Sequence, residues 1–381
     1  MEKHTILTIN PGMTSTKIGL VKGGEVIFDV NADTPFDSSL SIPEQAPARE
    51  RKIYEVLEQN AILPDSIDAV SGRGVGIYSC EGGTYRIDEL ACDHAARDVE
   101  GIRHPGCLGI VLSYRLGRRL GIPTFFVNPM NTDELCDEAR MTGVKGLYRP
   151  AHAHMLNSKQ VAIHHSELQG KRYRDCNYIT VMMGSGISVM AHRRGKAVDS
   201  TRAGDGQAPI APTRAGDLCA GDVFTLLNRG MSLDRIKALC DRNGGLEELT
   251  GTGDARKITG EMIPTGNRPA KLAWDAMEYG IVKWIAAMAG VLRGNVDAIL
   301  LTGGLAYEEN LVRRLTEDSS WIAPVYAYPG SFETEALAAG AERVLSGEEE
   351  AKTYTGKPVW MGFGFEAWEG EAPCVSCRDI V

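Results

Sequence analysis

Basic charge is in deficit. Against 50 Asp and Glu the chain sets 41 Lys and Arg, a formal net charge of −9. The arginine pairs Arg118-Arg119, Arg193-Arg194 and Arg313-Arg314 are scattered among acids. No basic face is present to neutralise a phosphate backbone, which excludes nucleic acid as a partner. Long apolar runs are absent too. The most apolar stretch, Leu272 to Leu292, carries Asp275, Glu278 and Lys283, each costly at a bilayer centre, so it predicts a core helix and no membrane span. The opening MEKHTILTINPG has no long hydrophobic region before a small-residue cleavage site. It reads as a strand rather than a signal peptide, and the expectation is a cytoplasmic protein. Nine cysteines at irregular intervals are an odd number, which fits reduced thiols rather than a disulfide framework. The one close pair, Cys374 and Cys377, supplies half of a tetrahedral zinc site and has no second pair to complete it. A plain tail and a metal or redox role both stay open for it.

What is present is apolar material and a recurring layout. Hydrophobic residues make up 43% of 381, enough for two domains of about 150 to 200 residues. Thr5 to Ile9 predicts a buried strand, Asn10 to Ser15 a tight turn, Thr16 to Val21 a second strand, Lys22 to Gly24 a turn and Glu25 to Val30 a third strand. Halfway along, Asn177 to Met183 is again a strand, Gly184-Ser185-Gly186 a turn, Ile187 to His192 a strand, Arg193 to Gly195 a turn and Lys196 to Asp199 a strand. Small residues in such turns let an anion approach successive backbone N–H groups, so each hairpin is a candidate phosphate site as well as an ordinary structural turn.

A third glycine signal follows the strand Ala298 to Thr302. Gly303 and Gly304 precede a helix expected over Tyr307 to Leu315, the usual place for a nucleotide to meet the carboxyl end of a strand. Helices are expected at Ala91 to Gly101, Cys107 to Leu120, Met155 to Leu168 and Ala270 to Leu292, and further strands at Ala69-Val70 and Thr124 to Val127. The class is α/β.

Several segments carry a resemblance. Asn10-Pro-Gly-Met-Thr-Ser-Thr-Lys17 resembles the N-P-G-S-T-S-T-K hairpin of butyrate kinases, and Ser71-Gly-Arg-Gly74 with Glu81-Gly-Gly-Thr-Tyr85 resembles their G-R-G-G and E-G-G-T-Y stretch. Asn128-Pro129 with Asp133-Glu134, His154-Met-Leu-Asn-Ser-Lys159, Gly184 to His192, Asp205-Gly206 with Pro212 to Gly216, Gly251 to Arg256, and Tyr328-Pro-Gly330 with Glu335 to Ala338 are similar to later family segments, in family order. The chain is thereby identified as a divergent member of the butyrate kinase type within the acetokinase family. That resemblance implies a duplicated two-domain, actin-like (ribonuclease H-like) fold of the acetate and sugar kinase, heat-shock chaperone and actin superfamily. It implies a domain I of residues 1–150 plus 335–356, a nucleotide-binding domain II of 151–334, and an extension, 357–381, of unknown role. It also implies a homodimer that uses ATP/ADP and Mg²⁺ to exchange a phosphoryl group with a short-chain carboxylate, the product being an acyl phosphate.

Phosphoryl transfer to a carboxylate needs charge cancellation and positioning rather than a general base, because the acceptor is already a nucleophile. The resemblance assigns Arg73 and Arg214 to the acyl carboxylate and the transferring group, a task that guanidinium geometry suits. It implies phosphate contacts for Asn10, Thr14, Ser15 and Lys17 and for Gly184, Ser185 and Gly186, to which the strand–glycine–helix pattern adds Gly303 and Gly304 as nucleotide candidates. Asp133 is implied to be a catalytic acid that positions Mg²⁺ or the substrate arginine, Glu335 an Mg²⁺ ligand, and His154 a further catalytic residue. The departures fall at these places: Met13 replaces a hairpin serine, Met182-Met183 stands where H-L is expected, Gly253 replaces an asparagine, and His104 to Gly109 replaces H-A-S-N-L-G. They admit an alternative, a catalytically weak paralogue that binds nucleotide or acyl phosphate as a sensor or partner protein.

Overall fold

The computed structural model describes residues 3–363. The described residues divide into two compact units: one holds those up to Leu156 and those from Phe332 onward, the other is Asn157–Ser331. The second unit thus opens at Asn157 rather than 151 and closes at Ser331 rather than 334.

In the first unit, strands β1 (Thr5–Pro11), β2 (Ser15–Lys22), β3 (Glu25–Asp33), β4 (Ala69–Gly72), β5 (Thr84–Arg86), β6 (Thr124–Val127) and, late in the chain, β12 (Lys352–Thr353) form a seven-stranded sheet ordered β12-β5-β6-β4-β1-β2-β3. In the second, β7 (Asn177–Met183), β8 (Ile187–Arg193), β9 (Lys196–Ser200), β10 (Ala298–Gly303) and β11 (Val325–Pro329) form a five-stranded sheet ordered β11-β10-β7-β8-β9. Without β5 and β12 the first reads β6-β4-β1-β2-β3, the same order as the second. Each has an antiparallel meander, β1-β2-β3 or β7-β8-β9, and two strands added parallel to its first member. The duplicated actin-like fold follows from this repeat.

Period-two patterning places each side chain. Ile6, Ala69 and Phe125 point to one face of the first sheet and pack with Ala338 and Ala341 of the helix Glu333–Leu345. Leu7, Val70 and Phe126 point to the other and join the main core under the helices Ile42–Gln59, Glu89–Arg97 and Cys107–Leu120. Both faces are covered, so β1 is buried throughout while the edge strand β3 alternates. Each fully buried Leu or Ile contributes about 1.5–3 kcal/mol by leaving water.

Some element limits differ from expectation. The helix expected at Ala91 to Gly101 runs Glu89–Arg97, capped by the Asp88 carboxylate and stopped by Asp98 in the left-handed region, φ 48°. A tight turn, Gly304–Tyr307, delays the next helix to Glu309–Ser319. The long helix is Arg268–Val291, started by the Asn267 side chain accepting from the Ala270 N–H. Its Glu278 is buried but ion-paired to Arg314 at 2.7 Å and accepts from the Trp274 indole. Among the described residues no helix is long and apolar enough to cross a membrane, and the seven described cysteines are free thiols. Cys374, Cys377, Phe365 and Trp368 lie outside the described residues. The start of the extension is placed: the Val359 N–H donates to the Ser79 carbonyl, and Trp360 and Phe363 pack on Tyr148.

Candidate active site

In the first unit the parallel strands β1, β4 and β6 end side by side, and the ends of such strands are where α/β sheets bind ligands. Asn10 lies at the end of β1, Arg73 directly after β4 and Asn128 directly after β6. The helix Cys107–Leu120 fixes Arg73 from behind: a Cβ at Gly109 would come within 2.4 Å of the Arg73 carbonyl oxygen, and one at Gly72 within 2.3 Å of the Gly109 oxygen. Only glycine permits that approach. The altered segment His104 to Gly109 therefore bears on the Arg73 backbone and lines no part of the pocket described next.

Arg73 Nη1 donates to Glu333 Oε1 at 3.1 Å and to Asn10 Oδ1 at 3.2 Å, while Asn10 Nδ2 donates to Glu333 Oε2 at 2.6 Å. The three side chains form a closed triangle. Burial pushes the Glu333 carboxyl up, but the Arg73 guanidinium, the Asn10 hydrogen bond, His154 and Lys17 outweigh it, and the net direction is down. Glu333 is an ionised, 17% exposed carboxylate. Arg73 spends one nitrogen on this triangle. Its Nη2 and Nε carry no hydrogen bond to any described residue, and Arg73 lines a narrow cavity of about 10 Å³, about the space of one ordered water. Arg73, His154, Asn128 and Glu333 form the polar part of the lining; Val127, Met130, Ala153, Met155 and Leu156 form the apolar part. A charged fork beside an apolar slot matches a small acid with a short hydrocarbon tail.

In the second unit β7, β10 and β11 end side by side in the same manner. Gly184, Ser185 and Gly186 turn after β7, while Gly303 ends β10 and Gly304 follows it. Gly303 has φ 95°, and a Cβ there would strike the Met183 carbonyl at 2.3 Å, so the two strand ends meet backbone to backbone. Arg214 lies against the hairpin: a Cβ at Gly186 would fall 2.7 Å from its Nη1. Its Nε donates to the Asp241 carbonyl at 2.8 Å, and Thr213 ties it to the turn by donating N–H and hydroxyl to the Ser185 carbonyl, both at 3.1 Å. Met182 is almost buried, and its sulfur accepts from Asn157 Nδ2 at 3.5 Å.

Three of the expected site residues have partners or directions that only the fold reveals. Asp133 is no free metal ligand, because both its oxygens accept from the buried Arg140 guanidinium at 2.7 and 2.6 Å, which cancels its charge. Lys17 pairs with Asp29 Oδ2 at 3.2 Å at the partly exposed edge of the sheet, and its charge still helps to lower the Glu333 carboxyl. Glu335 lies two residues beyond Glu333 on the helix Glu333–Leu345, about 200° around the axis, and cannot share its direction. The carboxylate that meets Asn10 and Arg73 is Glu333, which its place in the helix's first turn could have signalled. Thr14 is exposed at the hairpin tip and Ser15 half-buried, whereas His154 joins Arg73 at the cavity. Among the described residues no cluster of three or more metal-ligating side chains occurs.

Residues 145–322 match the Acetokinase family. A probable butyrate kinase of Clostridium botulinum (strain Eklund 17B / Type B) is 38% identical over 355 residues, covering 92% of this chain and 99% of its own. One of Elusimicrobium minutum (strain Pei191) is 37% identical over 369 residues, with coverages of 92% and 100%. The Porphyromonas gingivalis acetate kinase structure superposes with a TM-score of 0.74 at 19% identity, covering 90% of this chain and 100% of its own. A propionate kinase from Francisella tularensis gives 0.67 at 16%, with coverages of 88% and 98%. Those two likenesses establish the fold. The identity to the curated relatives, sustained over nearly the whole chain, makes this protein a member of the acetokinase family and a phosphotransferase whose acceptor is a carboxyl group.

Proposed function

We propose that the protein transfers a phosphoryl group reversibly between ATP and a short-chain fatty acid, butyrate or a branched analogue, giving an acyl phosphate and ADP. The observation that carries this reading is the pairing, in one small cavity, of the unspent Arg73 fork with the apolar side chains of Val127, Met130, Ala153, Met155 and Leu156. The fork holds the acid's carboxylate and aims one oxygen at phosphorus, the apolar lining opens beyond its present one-water volume to accept the tail, and no base is required. Arg214 and the backbone of Gly184 to Gly186 and Gly303-Gly304 bind nucleotide phosphate, with Arg214 offering fixed positive charge as charge spreads over the transferring oxygens. Mg²⁺ would be held mainly by phosphate oxygens and waters, which this hard cation usually keeps, and the ionised Glu333, whose two oxygens already accept from Arg73 and Asn10, would reach it through a water. When bound, the ion neutralises phosphate charge. The protein acts in the cytoplasm as a homodimer, which light scattering on the purified protein would check.

The weak-paralogue alternative draws on one observation: the Met182 sulfur is an acceptor already used by Asn157 and has no proton to give a phosphate. One assay separates the two. Hydroxamate trapping with ATP, Mg²⁺ and two- to six-carbon acids is expected to give acyl hydroxamate, with four- and five-carbon acids leading and Arg214→Ala suppressing it. ATP binding without product from any acid would refute the kinase reading and support the alternative.

A further inference from the structure

Arg49 is a buried cation without a counter-ion. It lies in the helix Ile42–Gln59 and is 2% exposed, yet among the described residues no carboxylate comes within ion-pair distance of it. Its neighbour Glu50 is already committed to Arg115 and Arg119, at 2.7 and 3.3 Å. The guanidinium bonds only neutral oxygens: Nη1 donates to Thr16 Oγ1 at 2.8 Å, and both terminal nitrogens reach the Gly12 carbonyl at 3.4 Å. Both partners belong to the β1–β2 hairpin. Buried charges are normally paired, and an unpaired one is costly.

The hairpin tip supplies the complement. The Gly12 carbonyl turns toward Arg49, and across a planar trans peptide the next N–H, that of Met13, points the opposite way. The Met13 and Thr14 N–H groups bond no described residue, and both residues are exposed, while Gly12 N–H closes the turn on the Ser15 carbonyl at 2.7 Å. Free amides thus face outward with a buried cation behind them, an arrangement that favours an anion.

We infer that Arg49 is a positioning residue for the transferred phosphoryl group: it orients the Gly12-Met13 peptide so that its N–H meets the phosphate, and its charge is balanced when that anion is bound. The inference rests on the kinase reading above.

The discriminating pair is Arg49→Lys, which keeps the charge, and Arg49→Gln, which keeps a hydrogen bond to Gly12 and loses the charge. Inorganic phosphate binding, read from its upward shift of the thermal midpoint, and hydroxamate kinetics are measured on both. Arg49→Gln is expected to weaken phosphate binding and lower kcat about tenfold or more, with KM for the acid within about twofold of wild type because Arg73 is intact. Arg49→Lys is expected to retain most of both. Wild-type behaviour of the Gln variant, better rescue by Gln than by Lys, or no phosphate response in the wild type would each overturn the assignment. Should the Gln variant not fold, Arg49→Lys decides alone: retained phosphate binding supports it, and a tenfold loss overturns it. Failure of wild type to make any acyl hydroxamate would remove the kinase reading, while the phosphate measurements would still judge Arg49.

Discussion

Replacing Arg73 by lysine separates charge from geometry at the acid-binding end. The Arg73 Nη1 holds Glu333 and Asn10, and two nitrogens remain for the carboxylate. Lysine preserves the positive charge that offsets Glu333, so the thermal midpoint should stay within about 3 °C of wild type. What it removes is the second arm of the fork. A hydrogen bond to a charged group contributes about 1.5–3 kcal/mol, and about 1.4 kcal/mol is a factor of ten, so kcat/KM for the acid should fall about 10- to 150-fold. Initial rates of hydroxamate formation across acid concentrations measure it. Arg73→Ala should behave differently: it leaves the half-buried Glu333 without its main partner, desolvation then drives that carboxyl up, and the lost stability should be partly regained as pH falls and Glu333 takes a proton. A kcat/KM for Arg73→Lys within threefold of wild type would refute the role of the fork.

Three further outcomes test other parts of the argument. His192 is fully buried between the Tyr173 and Thr180 hydroxyls, and burial, aided by Lys159, pushes it down from 6.5 to about 3. The unfolded state therefore binds the extra proton first, so its contribution to stability is full above pH 6.5 and is lost as pH falls toward 3; denaturant titrations should show that slope, flattened in His192→Gln. Gly186→Ala would set a Cβ 2.7 Å from Arg214 Nη1, displacing a flexible side chain rather than backbone, so kcat should fall at least tenfold while urea stability changes by less than about 1 kcal/mol. Ala153→Val should narrow the cavity and shift kcat/KM toward shorter acids by about tenfold, since one methylene is worth about 1–3 kcal/mol; unchanged acid preference would show that the tail binds elsewhere.

The duplicated layout was legible in the sequence because hairpin spacing and period-two burial are local. Thr5 to Pro11 and Asn177 to Met183 are β-branched and apolar-rich strands, and short hydroxyl or glycine turns leave the chain little choice but to reverse. Arg73, Arg214 and the Gly184 to Gly186 turn enter the proposed site through the family segments that hold them. Charge partners were not. That Asp133 is cancelled by Arg140, that Lys17 is held by Asp29, and that Glu333 rather than Glu335 completes the triangle with Asn10 and Arg73 depend on residues up to 323 positions apart in sequence. Arg49 is the same case, an unremarkable arginine on an amphipathic helix until the hairpin folds over it. Sequence determined where the chain becomes strand, turn and helix, since those choices depend on a few adjacent residues. Only the tertiary structure decided which charges cancel and which remain available, because a carboxylate or guanidinium is spent or free according to what is packed within about 4 Å of it.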